Sequence, residues 1–379
     1  MNKNIFDIIV IGGGPAGSSS AMLLSKKGFS VALIEKKVFP REVLCGEFIS
    51  REVTEFLEDN SLFEDFLKLN PNPITSFRFI GSNGKEIASE FSFRAFALKR
   101  SKLDQFLLLK ARDEGVKVFQ PAEVKDISVS NTGYTILLKS PDNLSIYISS
   151  KIIIAAYGKQ NILDKILHRH LSSVNSQFNG IKMHVDINSF NDLQQHEIRI
   201  YTGTGMYCGL NAVDENTITV CYLYDREKFK TENKKMLEIL SCENPKFASL
   251  LKENFITLLN SCPVYGTGDI YFGARVLTDK GIFYLGDAAG VIAPLAGDGI
   301  AIAVQSAQLL TGILYKNNLD VLMSSEDYNR EWRKQFSGRM HIAGIIQSLI
   351  MNKTIEHIGL NIVSFFPFLL PKLIRYTRG

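Results

Sequence analysis

Two segments near opposite ends of this 379-residue chain carry most of the residues that could do chemistry. The first, Gly12-Gly13-Gly14-Pro15-Ala16-Gly17, follows the apolar run Phe6–Ile11 and opens a stretch rich in Ala, Ser and Leu. Glycines at a strand-to-helix turn suit the pyrophosphate of a dinucleotide: Gly12 allows the tight turn, Gly14 lets the backbone approach the phosphates, and Gly17 lets helix pack on strand. The N–H groups of the first turn, which holds Pro15 and Ala16, and the positive end of the helix dipole then face the anion. A second strand, Ser30–Ile34, ends at Glu35, 18 residues after Gly17, where a carboxylate can accept hydrogen bonds from a ribose diol and Lys36 can add a contact. The acid would repel a 2′-phosphate, which argues against NADP in this slot. A glycine-rich turn can also serve only to reverse a chain, but here strand, helix and terminal acid fall in register.

The second segment, Gly286-Asp287-Ala288-Ala289-Gly290, follows a buried strand expected over Gly281–Leu285. After it, Pro294-Leu295-Ala296-Gly297-Asp298-Gly299-Ile300 leads into a long apolar helix. With this pair of motifs the chain resembles the FAD-dependent monooxygenases of the p-hydroxybenzoate hydroxylase type and their relatives, the geranylgeranyl reductases and flavin-dependent halogenases. The resemblance implies non-covalent FAD, with Asp287 at the ribityl chain and Gly297, Gly299 and Ile300 directing backbone N–H groups at the pyrimidine end of the flavin. A helix N-terminus there would stabilise the anionic reduced ring. The stretch from Phe39 to Ser50 is similar to the Pro-to-Cys-Gly segment of the reductases and, through Gly46-Glu47, to the Gly-Glu-Ser segment of the halogenases. That implies Cys45 and Gly46 beside the isoalloxazine. Lys99–Asp104 resembles the family's Arg-x-x-Leu/Phe-Asp helix start, implying Arg100 near the cofactor, and Pro121–Val124 the strand whose backbone faces adenine, implying Val124.

The chain departs from these relatives in two places. Tyr157-Gly158 stands where the family has an aspartate before the glycine, a residue implicated in binding both FAD and the nicotinamide donor. Its loss puts direct reduction by NADH or NADPH in doubt and leaves a separate reductase or a substrate-triggered step as the alternatives. Gly205–Val213 corresponds to the Tyr-x-Trp-x-Phe-Pro segment of the geranylgeranyl reductases, with only Tyr207 and Leu210 echoing it. The single tryptophan, Trp332, lies far away in a polar helix, so the paired tryptophans of the halogenases are absent.

These motifs need a sheet and helices to hold them. The expected fold is α/β: a discontinuous Rossmann-like FAD-binding domain over residues 1–72, 98–170 and 264–330, with an inserted, mainly antiparallel β-sheet substrate domain over 73–97 and 171–263. Residues 331–379 add a C-terminal helical region. Alternation predicts a hairpin of Ser76–Ile80 and Glu86–Phe93 around Gly81-Ser82-Asn83-Gly84, then strands at Ile181–Ile187, Glu197–Tyr201, Met206–Val213 and Thr217–Tyr224. Glu227–Cys242 and Pro245–Phe255 read as amphipathic returns.

Composition agrees with a globular enzyme: 45% of residues are apolar and the net charge is +4, too small to argue for nucleic acid. Five cysteines without regular spacing form neither a disulfide framework nor a zinc cluster, which suggests a reducing, cytoplasmic setting. The first apolar run is six residues long, contains Asp7 and leads straight into the phosphate turn, so it reads as a strand, not a signal peptide. No stretch is long enough for a spanning helix.

Several residues carry two readings. Cys45 is either a redox or substrate-contacting thiol or a small polarizable packing group beside the flavin. Glu47 is either a proton relay or hydrogen-bonding partner of the substrate, or a solvated loop carboxylate. Tyr207 is a third catalytic candidate. His168 and His170 lie close in sequence, but an i, i+2 pair on a helix does not share a face, so no metal site is expected. His341–Met351 and Ile358–Leu370, closing on Lys372, Arg375 and Arg378, suit either a membrane interface or hydrophobic substrate entrance, or helices capping the core. The favoured activity is FAD-dependent hydroxylation of a hydrophobic aromatic, polyketide or lipid-like molecule through a C4a-hydroperoxyflavin. The alternatives are reduction of isoprenoid double bonds and a catalytically silent flavin-binding or lipid-carrier protein.

Overall fold

The computed structural model describes residues 4–366 apart from 131–132, 160–161, 168, 170–176, 231–234, 254 and 269. Short runs of aliphatic residues build the first layer. Ile8–Ile11, Val31–Ile34 and Ile152–Ala155 are buried along their whole length, the pattern of strands covered on both faces. They form the centre of a six-stranded sheet in the order 278–279, 282–284, 152–155, 8–11, 31–34, 117–119. All its pairings are parallel except that of Thr278–Asp279 with Ile282–Tyr284. The helices Pro15–Lys26, Arg100–Asp113 and Gly299–Lys316 pack together with it in one large apolar core. A four-stranded sheet that includes Glu123–Ser130 and Gly133–Lys139 borders it.

The second layer is an eight-stranded sheet in the order 265–267, 178–186, 217–225, 206–212, 197–203, 72–80, 86–97, 48–49. Its pairings are antiparallel except that of Glu197–Gly203 with Asn72–Ile80. The expected hairpin is present, as Asn72–Ile80 and Glu86–Ala97, with the turn closed by the Gly81 N–H donating to Lys85 O. One face of Met206–Ala212 packs Met206, Cys208, Leu210 and Ala212 into a second core with Lys235–Glu243 and Pro245–Leu250. The expected helix at Pro245–Phe255 is shorter: Asn244 caps its start, and Leu251 is extended.

The chain closes with Val321–Trp332, a short π-helical turn, Gly338–Ile350 and Lys353–Phe365. Trp332 ends its helix fully buried, 5.4 Å from the Phe336 ring. Lys353–Phe365 lies across the second sheet, held by Glu356. That buried carboxylate accepts from the Ser82 N–H at 3.1 Å, the Ser82 hydroxyl at 3.0 Å and the Thr202 hydroxyl at 2.5 Å. The close approach depends on Gly81, where a Cβ would sit 2.2 Å from Leu360 Cδ1. His168, His170 and everything after Phe366, including the basic tail, lie outside the described residues.

Candidate active site

A cavity of about 590 Å³ runs from Glu35 and Val124, past the first glycine turn, to Asp287 and the start of the Gly299–Lys316 helix. Gly12, Gly14, Pro15, Ala16, Lys36, Cys45, Gly46, Arg100, Gly297 and Ile300 line it as well. Gly17 alone among the expected cofactor residues does not, and its role is packing: a Cβ there would meet Gly12 O at 1.8 Å. Gly12 itself has φ +110°, and its Cβ would fall 2.4 Å from Ala156 O, just past the neighbouring strand Ile152–Ala155. Both helices that open on the cavity have N-caps, Gly14 and Asp298, with no capping side chain. Their first-turn N–H groups are thus available to an anion at two points of one elongated cavity. This donor set fits a dinucleotide with phosphates at one helix and an electron-rich ring at the other.

Around the first helix the charges are balanced in pairs. Glu35 accepts from the Gly13 N–H at 2.8 Å and the Lys37 N–H at 2.7 Å. Arg41 reaches within 3.8 Å of Glu35 and 3.1 Å of the fully buried Asp104, and it stacks over Phe39. Arg100 donates to both oxygens of Asp104, at 2.8 and 3.0 Å. Burial alone would lower the Arg100 pKa, but the Asp104 carboxylate and neighbouring Cys45 raise it instead. Sequence reasoning gave Arg41 no role, although it stands in the quoted Phe39–Ser50 stretch and lines the cavity.

Glu47 is not a solvated loop carboxylate: it is fully buried with a left-handed backbone, φ 60°. Its Oε1 accepts from the Lys182 ammonium at 2.6 Å and the Arg100 N–H at 2.8 Å, and its Oε2 from the Thr219 hydroxyl at 2.6 Å. The His184 ring lies 2.7 Å from Oε2. Lys182 also donates to Glu42 at 2.5 Å. Glu42, Glu47 and His184 lie close enough to share a cation, and the cation among them is the Lys182 ammonium. Burial pushes the Glu47 carboxyl up, but the His184 bond and the Lys182 charge outweigh it and hold the group at about 2.

A second cavity, of about 420 Å³, abuts the first; Leu44, Cys45, Gly46, Phe48, Lys159, Pro294 and Gly297 line both. Its walls are mostly aromatic and aliphatic side chains of the eight-stranded sheet and of the two last helices. Tyr207 belongs to this cavity and not to the first. Its hydroxyl and the Asn211 amide nitrogen are buried with no hydrogen-bond partner among the described residues. Each such group costs on the order of 1–3 kcal/mol.

Tyr157 lines the first cavity, but its hydroxyl is engaged within the chain. Its hydroxyl donates to the buried Asp164 at 2.7 Å, and Asp164 also faces Arg169 at 3.4 Å. Burial, then the Asp164 carboxylate, push the Tyr157 phenol far up. Asp287 is half-exposed at the cavity wall, 3.9 Å from the Lys159 ammonium.

The Glu47 cluster generates a pH prediction. The folded pKa of about 2 lies below the ordinary 4.5, so the stabilisation is full above pH 4.5 and lost as pH falls towards 2. The difference is worth about 3 kcal/mol. Glu47→Gln is expected to lower stability at pH 7 by that order and to flatten the acid limb between pH 4.5 and about 2. Urea unfolding across this range is the check, and an acid limb as steep as in the parent chain would count against the assignment.

Comparison with known proteins places this geometry. The profile of a family described as "FAD binding domain" matches residues 6–317. A 1H-pyrrole-2-carbonyl-[peptidyl-carrier protein] chlorinase of Pseudomonas fluorescens is 23% identical over 93% of this chain and 82% of its own length. A digeranylgeranylglycerophospholipid reductase of Methanococcus vannielii is 25% identical over 88% of this chain and 82% of its own. Among solved structures, a flavin-dependent brominase superposes with a TM-score of 0.79 at 18% identity, covering 98% of this chain and 93% of that one. A probable FAD-dependent monooxygenase of Pseudomonas aeruginosa gives 0.75 at 13% identity, covering 94% and 99%. With the family profile spanning both glycine motifs and the cavity between them, the chain belongs to the FAD-binding-domain family and is an FAD-dependent oxidoreductase.

Proposed function

We propose that the protein hydroxylates a hydrophobic aromatic, polyketide or lipid-like small molecule. The observation that carries this reading is the shared wall: a molecule in the apolar cavity would meet the ring end of FAD across Cys45, Gly46 and Gly297, shielded from bulk water. Bound FAD would supply the redox chemistry and the activation of O₂. The chain's own residues bind and orient. The first-turn N–H groups after Gly14 hold the pyrophosphate, those after Asp298 the pyrimidine edge, and Asp287 the ribityl chain. Glu47 acts as a positioning residue, because it stays ionised at neutral pH and fixes the loop carrying Cys45 and Gly46 against the second sheet. Cys45 packs at the junction of the two cavities, within reach of both flavin and substrate.

A second reading, reduction of an isoprenoid double bond, is favoured by the aliphatic part of the second cavity's lining and by the reductase among the relatives. Turnover under ¹⁸O₂ with mass analysis separates the two, using phenolic lipids, alkylated polyketides and polyprenyl compounds as substrates. The expected product carries one labelled oxygen atom. A dihydro product formed without air, or a halogenated one formed with halide, would overturn hydroxylation.

Electron delivery follows from Tyr157. With its hydroxyl committed to Asp164, no acid stands before Gly158, so a separate reductase is proposed as the electron source. Anaerobic mixing with NADH or NADPH should bleach the flavin far more slowly than a typical turnover of about 10 per second. Bleaching at that rate or faster would make the nicotinamide the direct donor.

The last two helices are proposed to meet a membrane surface. Ile345, Leu349, Ile355, Ile358, Ile362 and Phe365 are exposed, and Leu349 and Ile355 also line the apolar cavity, so its rim is itself apolar. No helix among the described residues is long and apolar enough to cross a membrane, so contact would be peripheral. The protein should float with vesicles containing anionic lipid, less so at high salt, and Ile358→Glu with Phe365→Glu should abolish flotation. If the parent chain stays in the soluble fraction with every vesicle, the surface reading is wrong.

A further inference from the structure

The strand Met206–Ala212 sits between two neighbours of the eight-stranded sheet and separates two environments. Its even-numbered residues are fully buried in the apolar core beneath the sheet. Alternation sends Tyr207, Gly209 and Asn211 to the other face, and all three line the apolar cavity. Each of the two polar side chains is 5% exposed, and the Tyr207 hydroxyl and Asn211 amide nitrogen have no partner among the described residues.

A folded chain rarely strands two polar groups on one cavity wall without a purpose, since each gives up water and gains nothing in return. Other buried polar side chains of the same sheet are paired: Lys182 donates to Glu42 and Glu47, Thr219 to Glu47 and Thr202 to Glu356. Between the unpaired groups lies Gly209, where a Cβ would meet only Cys221 O at 3.7 Å. The floor between them is therefore bare and flat. Register orients the pair. Asn211 lies opposite Thr219, whose hydroxyl donates to Glu47 in the flavin-side loop. Tyr207 lies nearer the turn where Gly205 N–H donates to Met351 O, at the C-terminal helices.

We propose that Tyr207 and Asn211 form a two-point recognition pair for the substrate, which is a flat, largely apolar molecule carrying oxygen at two places. One acceptor oxygen, a carbonyl or ether, takes the Asn211 amide N–H on the flavin side. The other, a phenol or carbonyl, bonds the Tyr207 hydroxyl, and a ring lies over Gly209. Along the strand positions 207 and 211 are about 13 Å apart, long enough for one or two fused or linked rings between the side chains. This deepens the hydrophobic-substrate reading above and rests on it for the cavity's use. It favours oxygenated aromatic molecules over plain isoprenoid chains, which would leave both groups unpaired.

The test uses the FAD-loaded full chain and two probes of matched shape, 4-hydroxybenzophenone with two oxygens and diphenylmethane with none. Affinity is read by isothermal titration calorimetry and by the flavin absorbance change, neither of which needs turnover. The parent chain is expected to bind the oxygenated probe at least tenfold more tightly. Tyr207→Phe and Asn211→Leu should each reduce that preference several-fold while keeping FAD and leaving the melting temperature unchanged or higher, because each removes a stranded polar group. Asn211→Ala replaces the leucine variant if that one does not fold. Equal affinity for the two probes, no binding of the oxygenated one, or variants that melt earlier with the preference intact would overturn the proposal. A retained preference in a protein that adds no oxygen in the labelling experiment would instead leave this pair standing and remove hydroxylation.

Discussion

The arrangement turns on one carboxylate. Glu47 belongs to the loop that walls the flavin cavity, yet its donors Lys182 and Thr219 belong to strands of the other sheet, and the Arg100 N–H begins a helix of the first layer. Three parts of the chain distant in sequence therefore meet at two oxygen atoms. Taking a carboxylate and an ammonium out of water is costly, and the cost is offset only when the remaining lone pairs and protons are also satisfied. Here they are, with Glu42 taking a second proton of Lys182 and His184 beside the other oxygen. A loop that would otherwise choose among many conformations is held to one, with Cys45 and Gly46 set on the wall common to both cavities.

A second ionic contact does the same at the opposite end of the ring site. Asp298 is the N-cap of the Gly299–Lys316 helix but does not cap it; its carboxylate instead takes the Arg339 guanidinium at 2.7 Å. Arg339 rises from the helix that also walls the apolar cavity through Ala343, Ile346 and Ile350. The charge that could have satisfied the helix N-terminus is thereby drawn away from it, and the helix start keeps no capping side chain where it lines the first cavity. Any displacement of the C-terminal helices would be felt at that terminus, which mechanically joins the wall of the apolar cavity to the end of the first cavity.

The cofactor half of the molecule was largely legible in the sequence because its constraints are local. Gly12, Gly17 and Gly297 sit where backbone approaches backbone or adopts positive φ, and such demands leave a signature within a few residues. The strands of the second sheet were legible too, through period-two alternation. Their polar faces were not. Lys182 and His184 alternate with Ile181, Met183 and Val185, which on a half-exposed sheet would point the charges at water. The sheet is covered on that side by the loop from the first layer, so the same alternation points them at Glu47. Nothing in the local pattern distinguishes the two outcomes, since the covering loop is more than a hundred residues away in sequence. Asn211 was overlooked for a similar reason: its partnerless state is a property of the cavity, not of the strand.

Two sets of buried polar groups on this scaffold contrast, those that join elements and those that face the apolar cavity. Glu47, Glu356 and Asp298 are met by donors from other elements, and Asp104 by Arg41 as well as by Arg100 of its own helix, so each holds two pieces of chain together. Removing one partner from such a set leaves an uncompensated charge, so these positions resist change regardless of what the protein binds. The Tyr207 hydroxyl and the Asn211 amide nitrogen meet no partner among the described residues. Their cost is borne by the free protein and is recovered only when something in the cavity completes them, so that binding a molecule with matching oxygens gains both the new bonds and the relief of the old deficit. A hydrocarbon of the same shape would gain neither. Discrimination built this way needs no clash and no steric filter, because a site made to bond an oxygen loses most when the oxygen is missing.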